Sequence, residues 1–239
     1  MPASTSPSGR RVIVTGAAGG IGRAIVSALK EADCRVADCD VPGAATTFAF
    51  DVCDRSAVQA GVADAVGALG GCDAVVANAG VVDTVHRAER FSDEEWRKDL
   101  ESNLYGAFYL VQAAFEALAE SGDGRVVLIS SVAAEIAAPG QVAYAASKAG
   151  LLGVARTLAA EWAPRGIRCN VIMPGFIATP KVLAMPDQVK EGAVAKIPLG
   201  RFGEADELAG AVSFLLSPAA AYINGAVLRV DGGFGLFLR

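Results

Sequence analysis

The sequence predicts an α/β protein: a doubly wound, parallel, seven-stranded sheet with helices on both faces, in a single domain. Three observations carry this. Short apolar runs alternate along 239 residues with stretches of helical character. The chain is 53% hydrophobic, with mean hydropathy +0.40 and 27 Gly, as a sheet buried on both faces requires. A glycine cluster lies between the first strand and the first helix.

In order, strands are expected at Arg11–Thr15, Arg35–Asp40, Thr46–Asp51, Asp73–Asn78, Arg125–Ser130, Arg168–Met173 and Val227–Val230. Helices are expected at Gly20–Ala32, Arg55–Leu69, through a long region Ser92–Glu120, and at Tyr144–Ala163. Strands joined by helical crossovers define parallel βαβ units. The spacing gives a flexible N-terminal arm at 1–10 and one domain over 11–239. Between Gly175 and Arg201 the periodicity loosens around Pro174, Pro180, Pro186 and Pro198, so a mobile substrate-loop insertion is expected at about 176–200.

Composition narrows the function classes. A net charge of −5 with no clustered Lys/Arg face argues against nucleic acid or an anionic membrane as partner. Every apolar run is interrupted before a membrane span is reached, and Met1–Ser8 lacks the apolar core of a signal peptide, so a cytoplasmic protein is expected. Cys34, Cys39, Cys53, Cys72 and Cys169 form no C-x-x-C pair and read as reduced thiols. With His86 the sole histidine, no metal site is expected.

The turn Thr15-Gly16-Ala17-Ala18-Gly19-Gly20-Ile21-Gly22 follows the first strand and leads into a helix. Glycines let a pyrophosphate approach a helix N-terminus, where free N–H groups and the dipole favour negative charge. The spacing departs from strict G-x-G-x-x-G. Asp40 ends the second strand, where a carboxylate accepts from ribose hydroxyls and repels a 2′-phosphate. Asp38, on the same strand face, is its rival. No basic residue in the turn offsets Asp40, and Val41 is apolar, so the cofactor expected is NAD.

Tyr144 and Lys148 stand one helical turn apart, with Ser131 upstream at the end of a strand. Moving a phenol from pKa ~10 to ~7.5 takes roughly 3.4 kcal/mol, and a unit charge ~4 Å away at an effective dielectric of ~20 supplies about 4. One lysine is therefore expected to make Tyr144 an acid/base.

Together, Thr15-Gly16-x-x-x-Gly20-Ile21-Gly22, Asp51-Val52, Asn78-Ala79-Gly80, Asn103, Ser131, Tyr144-x-x-x-Lys148, Pro174-Gly175-x-Ile177-x-Thr179 and Val230-Asp231-Gly232-Gly233 resemble the short-chain dehydrogenase/reductase family from about Arg11 to Gly233. The resemblance implies a Rossmann-type fold and a catalytic set of Asn103, Ser131, Tyr144 and Lys148. Tyr144 would exchange the substrate proton, and Lys148 would lower its pKa and bind the nicotinamide ribose. Ser131 would hydrogen-bond the substrate oxygen, and Asn103 would hold a water on the proton path. Gly16, Gly19, Gly20, Ile21 and Gly22 would cradle the pyrophosphate, and Asp51 and Val52 would border the adenine. Asn78, Ala79 and Gly80 would pass the adenosine ribose. Pro174, Gly175, Ile177 and Thr179 would hold the nicotinamide end, and Gln141 would touch substrate.

The expected activity is hydride transfer between NAD(H) and a small-molecule secondary alcohol or ketone, neutral or mainly hydrophobic, because Val81, Val82 and Ala133 line an apolar wall. Glu135 is expected either to touch a polar substrate group or to point to water, and His86 to lie at the surface near the entrance. Two alternatives remain: a reductase of β-ketoacyl thioesters, and a catalytically silent NAD-sensing binding protein. The largely apolar helices Leu104–Ala119 and Leu151–Ala163 point to a homo-oligomer, dimer or tetramer. The apolar run Phe234–Arg239 is expected to pack on a neighbouring subunit or on its own core.

Overall fold

A computed structural model of the chain describes residues 3–82 and 85–236. Its sheet has seven parallel strands, β1 (Arg11–Thr15), β2 (Arg35–Asp40), β3 (Phe48–Ala49), β4 (Ala74–Ala77), β5 (Gly124–Ile129), β6 (Ile167–Pro174) and β7 (Val227–Val230), in the order β3-β2-β1-β4-β5-β6-β7. Successive side chains feed opposite faces, as the period of two in a strand demands. On one face Val12, Val14, Val76, Val127 and Ile172 meet α1 (Gly20–Glu31) and α9 (Ala205–Leu216), through Ile25, Leu29, Leu208, Val212 and Leu215. On the other, Ile13, Val75, Val126, Leu128 and Val171 meet α2 (Arg55–Leu69), α4 (Gly106–Ala113) and α6 (Val142–Trp162). The strand order reverses between β2-β1 and β4, which opens a crevice at the carboxyl edge.

Three expectations are corrected. The strand expected over Thr46–Asp51 shrinks to Phe48–Ala49, because polar side chains claim its flanks: Thr46 Oγ1 donates to the Phe48 carbonyl, and Asp51 accepts from Cys53 N–H. The long helical region is broken into α3 (Asp93–Leu100), opened by a Ser92/Glu95 capping box, a π-turn at Glu101–Tyr105, α4, and α5 (Phe115–Glu120). The 176–200 insertion contains two short helices, α7 (Pro180–Leu183), capped by Thr179, and α8 (Asp187–Val194).

The segment expected as an arm is tied down from Ser4 onward. Ser4 O accepts from Ala219 N–H, Pro7 O from the Cys34 thiol, and Asp33 O from Gly9 N–H. At the other end Phe234 packs on the core, and Phe237–Arg239 lie outside the described residues. Tyr105 stays 45% exposed on the face that suggested oligomerisation. Among the described residues no helix is long and apolar enough to cross a membrane.

Leu110 on α4 is fully buried in the larger core cluster. Leu110→Ala should cost about 2–5 kcal/mol in urea denaturation; a loss below about 1 kcal/mol would contradict this packing.

Candidate active site

The glycine turn is shaped by what it must avoid. Gly16 has φ 65°, and a Cβ there would lie 2.8 Å from the Ala79 Cα; a Cβ on Gly22 would come 2.0 Å from the Gly16 carbonyl oxygen. Asn78 reinforces the turn, its Nδ2 donating to the Thr15 and Gly16 carbonyls at 3.0 and 3.1 Å. The α1 N-terminus begins at Gly19 with no side-chain cap and no acidic residue in its first turn, leaving N–H groups open to an anion. Ile21 packs from this turn onto the α1/α9 core.

Beside the turn a recess is lined by Thr15, Gly16, Cys39, Asp40, Val41, Phe50, Val52 and Ala79. The two candidate acids part here. Asp40 Oδ2 accepts from Ala18 N–H at 2.8 Å within the recess, whereas Asp38 turns to Thr47 and to Lys30, 3.9 Å away. A carboxylate offers about four lone-pair sites, so Asp40 keeps acceptor capacity for a ribose. Val52 lines the recess, while Asp51 is exposed and caps the following turn. Phe50 is a lining residue that sequence reasoning missed; its burial at the end of a two-residue strand carried no periodic signal. These residues fit a dinucleotide: a glycine-rich cradle, an uncapped helix N-terminus and an acid beside a turn that holds neither lysine nor arginine.

The other end of the cradle is closed by the segment after β6. Gly175 N–H donates to Val230 O, and a Cβ on Gly175 would sit 2.8 Å from the Asp231 Cα. Ile177 bridges to Gly203, and the Thr179 methyl would lie 3.1 Å from a Cβ on Gly20. Pro174 to Thr179 therefore run alongside the glycine turn.

Ser131 follows β5, its hydroxyl accepting from Ala133 N–H at 3.2 Å and near enough to Tyr144 to lower its phenol. Gln141, half-buried, immediately precedes α6, three residues before Tyr144. Lys148 is 4% exposed; its Nζ donates to Ile129 O at 2.9 Å and lies 5.8 Å from the Tyr144 ring centre. Gly80 permits this, since a Cβ would be 3.1 Å from Nζ and 2.7 Å from the Asn103 Oδ1. Asn103, fully buried in the π-turn, spends its amide on Val81, accepting from its N–H at 2.7 Å and donating to its carbonyl at 2.9 Å. Its side chain thus pins the loop over the lysine.

The electrostatics correct the expected charge pair. Burial raises the Tyr144 phenol, the Ser131 hydrogen bond lowers it, and the Asp99 charge raises it further. Burial also lowers the Lys148 ammonium to about 8. Desolvation is the largest influence on both groups. Glu135 is exposed to water, one of its two expected positions, and its Oε2 also pairs with Arg229 Nη1 at 2.9 Å. His86 is a surface residue whose Nδ1 lies 3.1 Å from Glu95 Oε1, and its N–H donates to Gly140 O.

Lys148 thereby becomes a measurable stability liability. An unfolded lysine stays protonated to pH 10.5 and the folded one to about 8, so the unfolded state holds more protons between these values. Stability rises with pH across that window, and below pH 8 the full penalty of about 3 kcal/mol applies. Lys148→Met should raise stability at pH 7 by about 1–3 kcal/mol and flatten this slope, read by urea melts from pH 7 to 10; a persisting slope would contradict the assignment.

Comparison with known proteins agrees with this geometry. A family model described as "Enoyl-(Acyl carrier protein) reductase" matches residues 16–235. The chain is 42% identical to the D-threitol dehydrogenase of Mycolicibacterium smegmatis, covering 95% of this chain and 93% of the relative. It is 38% identical to the 3-oxoacyl-[acyl-carrier-protein] reductase FabG of Escherichia coli K12, covering 94% and 97%. A solved structure from Beutenbergia cavernae, provisionally described as an NAD(P)-dependent gluconate 5-dehydrogenase with NADP at low occupancy, superposes with TM-score 0.90 at 33% identity, covering 98% of this chain and 99% of that one. The chain belongs to the short-chain dehydrogenase/reductase family, an oxidoreductase acting on CH–OH groups.

Proposed function

We propose that the protein interconverts a neutral secondary alcohol and its ketone with NAD(H). The observation that carries this is the buried Lys148, with its Nζ 5.8 Å from the ring centre of Tyr144, whose phenol Ser131 lowers. NAD, when bound, supplies the hydride acceptor and NADH the donor. Gly16 to Gly22 and the α1 N-terminus would hold the pyrophosphate, Asp40 the adenosine ribose, Val52 and Ala79 the adenine side, and Pro174, Gly175, Ile177 and Thr179 the nicotinamide end. Ser131 donates to the substrate oxygen as charge develops there. Tyr144 Oη takes the hydroxyl proton in oxidation and returns it in reduction. Because burial keeps the phenol protonated, Tyr144 is poised as the acid of ketone reduction at neutral pH, and oxidation is favoured as pH rises. Lys148 is protonated below its pKa of about 8 and carries the charge that stabilises phenolate. Asn103 orders the loop above it through both ends of its amide on Val81.

The acid at position 40 supports NAD over NADP, since a 2′-phosphate would meet its carboxylate. The D-threitol dehydrogenase relative supports a polyol or other neutral alcohol, and the paired state of Glu135 and Arg229 leaves no free charge from these two for an ionic substrate. The E. coli relative favours a second reading, reduction of a β-ketoacyl thioester. The intact Ser131, Tyr144 and Lys148 speak against a silent sensor. The apolar α4 and α6 surfaces support a homo-oligomer, which light scattering would test.

Activity is read as absorbance at 340 nm over secondary alcohols and polyols with NAD or NADP, and over acetoacetyl thioester with NADH or NADPH. Turnover confined to the thioester would replace the first reading by the second. Tyr144→Phe should cut alcohol oxidation at least a hundredfold, and Ser131→Ala, by removing the hydrogen bond that lowers the phenol, should move the rise of rate with pH upward; an unmoved profile contradicts the pairing. Asp40→Ala combined with Val41→Arg should erode the preference for NAD, and unchanged selectivity would overturn the cofactor assignment.

A further inference from the structure

The segment carrying Ser131 continues through a short turn, Val132–Ala134, to Glu135 and Ile136, whose N–H groups both return to Val132 O. Opposite it stands the turn after β7, Asp231–Leu236. One guanidinium joins them. Arg229 gives Nη1 to Glu135 Oε2 at 2.9 Å, Nε and Nη2 to Asp231 Oδ2 at 2.9 and 2.6 Å, and Nη2 also to the Phe234 carbonyl at 2.7 Å. Beside this grip Gly235 meets Ile136 so closely that a Cβ would lie 2.4 Å from its Cδ1, and Phe234 sets its ring edge against Phe176 at 5.5 Å. Phe176, in turn, stacks on Phe202 at 5.8 Å.

Packing holds only part of this turn, where Gly232 and Gly233 abut Ile197 and Pro198. Arg229, Asp231, Gly232 and Gly233 also border a cavity of about 470 Å3 with Phe176 and Leu199, so part of the turn faces open space. A single exposed ion pair would contribute little. A planar fork that satisfies two carboxylates and a carbonyl at once fixes geometry as well as charge, which an ammonium cannot do.

We propose that Arg229 is a specificity-determining positioning residue: by latching Glu135, Asp231 and the Phe234 carbonyl together, it holds the Phe234 turn as the far wall of the alcohol site and restricts that site to short neutral substrates. The inference rests on the reading of Ser131 and Tyr144 as the seat of the reaction. Strands β5, β6 and β7 are adjacent, so the loops that follow them, carrying Ser131 and Ile136, Phe176 and Phe234, lie together at the carboxyl edge. Cutting the latch lets the wall retreat toward the cavity.

The test uses the full chain with NAD and a series from 2-butanol to 2-octanol. Arg229→Met should raise KM for 2-butanol at least fivefold with kcat nearly unchanged, and should shift the ratio of kcat/KM for 2-octanol over 2-butanol at least tenfold. Glu135→Gln should move both in the same direction by less, and Arg229→Lys should recover only part. An unchanged ratio, or an equal fall in kcat on every alcohol, overturns the proposal. Hydrogen exchange gives a readout independent of turnover: in Arg229→Met, amides of residues 132–136 and 233–235 should together exchange at least fivefold faster while β5 is unaffected. Unchanged protection also overturns the latch. Accelerated exchange in an enzyme that turns over no alcohol would support the latch and place the failure in the reading of the site.

Discussion

The Lys148 ammonium rests 2.9 Å from the Ile129 carbonyl with almost no access to water, and keeping it there sets the terms for its surroundings. A buried cation costs free energy unless polar groups and shape receive it. The last carbonyl of β5 is one such group; the missing side chain of Gly80 is the space that admits it. Val81 must then be held in place, and the Asn103 amide does so with both its ends. That in turn explains the π-turn, a local widening that aims a fully buried asparagine inward from a helix otherwise committed to the core. Thus the irregular features of the carboxyl edge belong to one chain of dependence.

The cofactor side obeys a different constraint, which is close approach of backbone to backbone. Gly16 against Ala79, Gly22 against Gly16 and Gly175 against Asp231 are contacts at which a methyl group finds no room. They stitch the loops after β1, β4, β6 and β7 into a single surface. Asp40 joins it through the Ala18 N–H, so its carboxylate both orders the glycine turn and marks its boundary.

Much of this was legible in the sequence, because it depends on local pattern. Strand periodicity located all seven strands, and residues tied to short motifs, such as Gly16 to Gly22 or Tyr144 and Lys148, fell where expected. What escaped depended on distant partners. Nothing near Glu135 in the chain announces Arg229, and nothing near Asn103 announces Val81, so neither the latch nor the π-turn had a signal. The charge argument for Tyr144 was incomplete for a related reason: spacing fixes which groups are neighbours, whereas their pKa values also follow burial, the largest influence on both groups. Thr46–Asp51 shows the converse, a β-like composition diverted by side chains that bond their own backbone.

The packing of α1 against α9 has a consequence for how the chain acquires its shape. The helix whose N-terminus frames the glycine turn leans on Leu208, Val212 and Leu215, about three quarters of the sequence away. Closing so long a loop is slow, and until it closes Ile25 and Leu29 have no cover. The nucleotide end of the crevice therefore consolidates among the last parts of the fold even though its residues come first in the chain, and a nascent or partly folded molecule exposes an apolar stripe there that invites association with other chains.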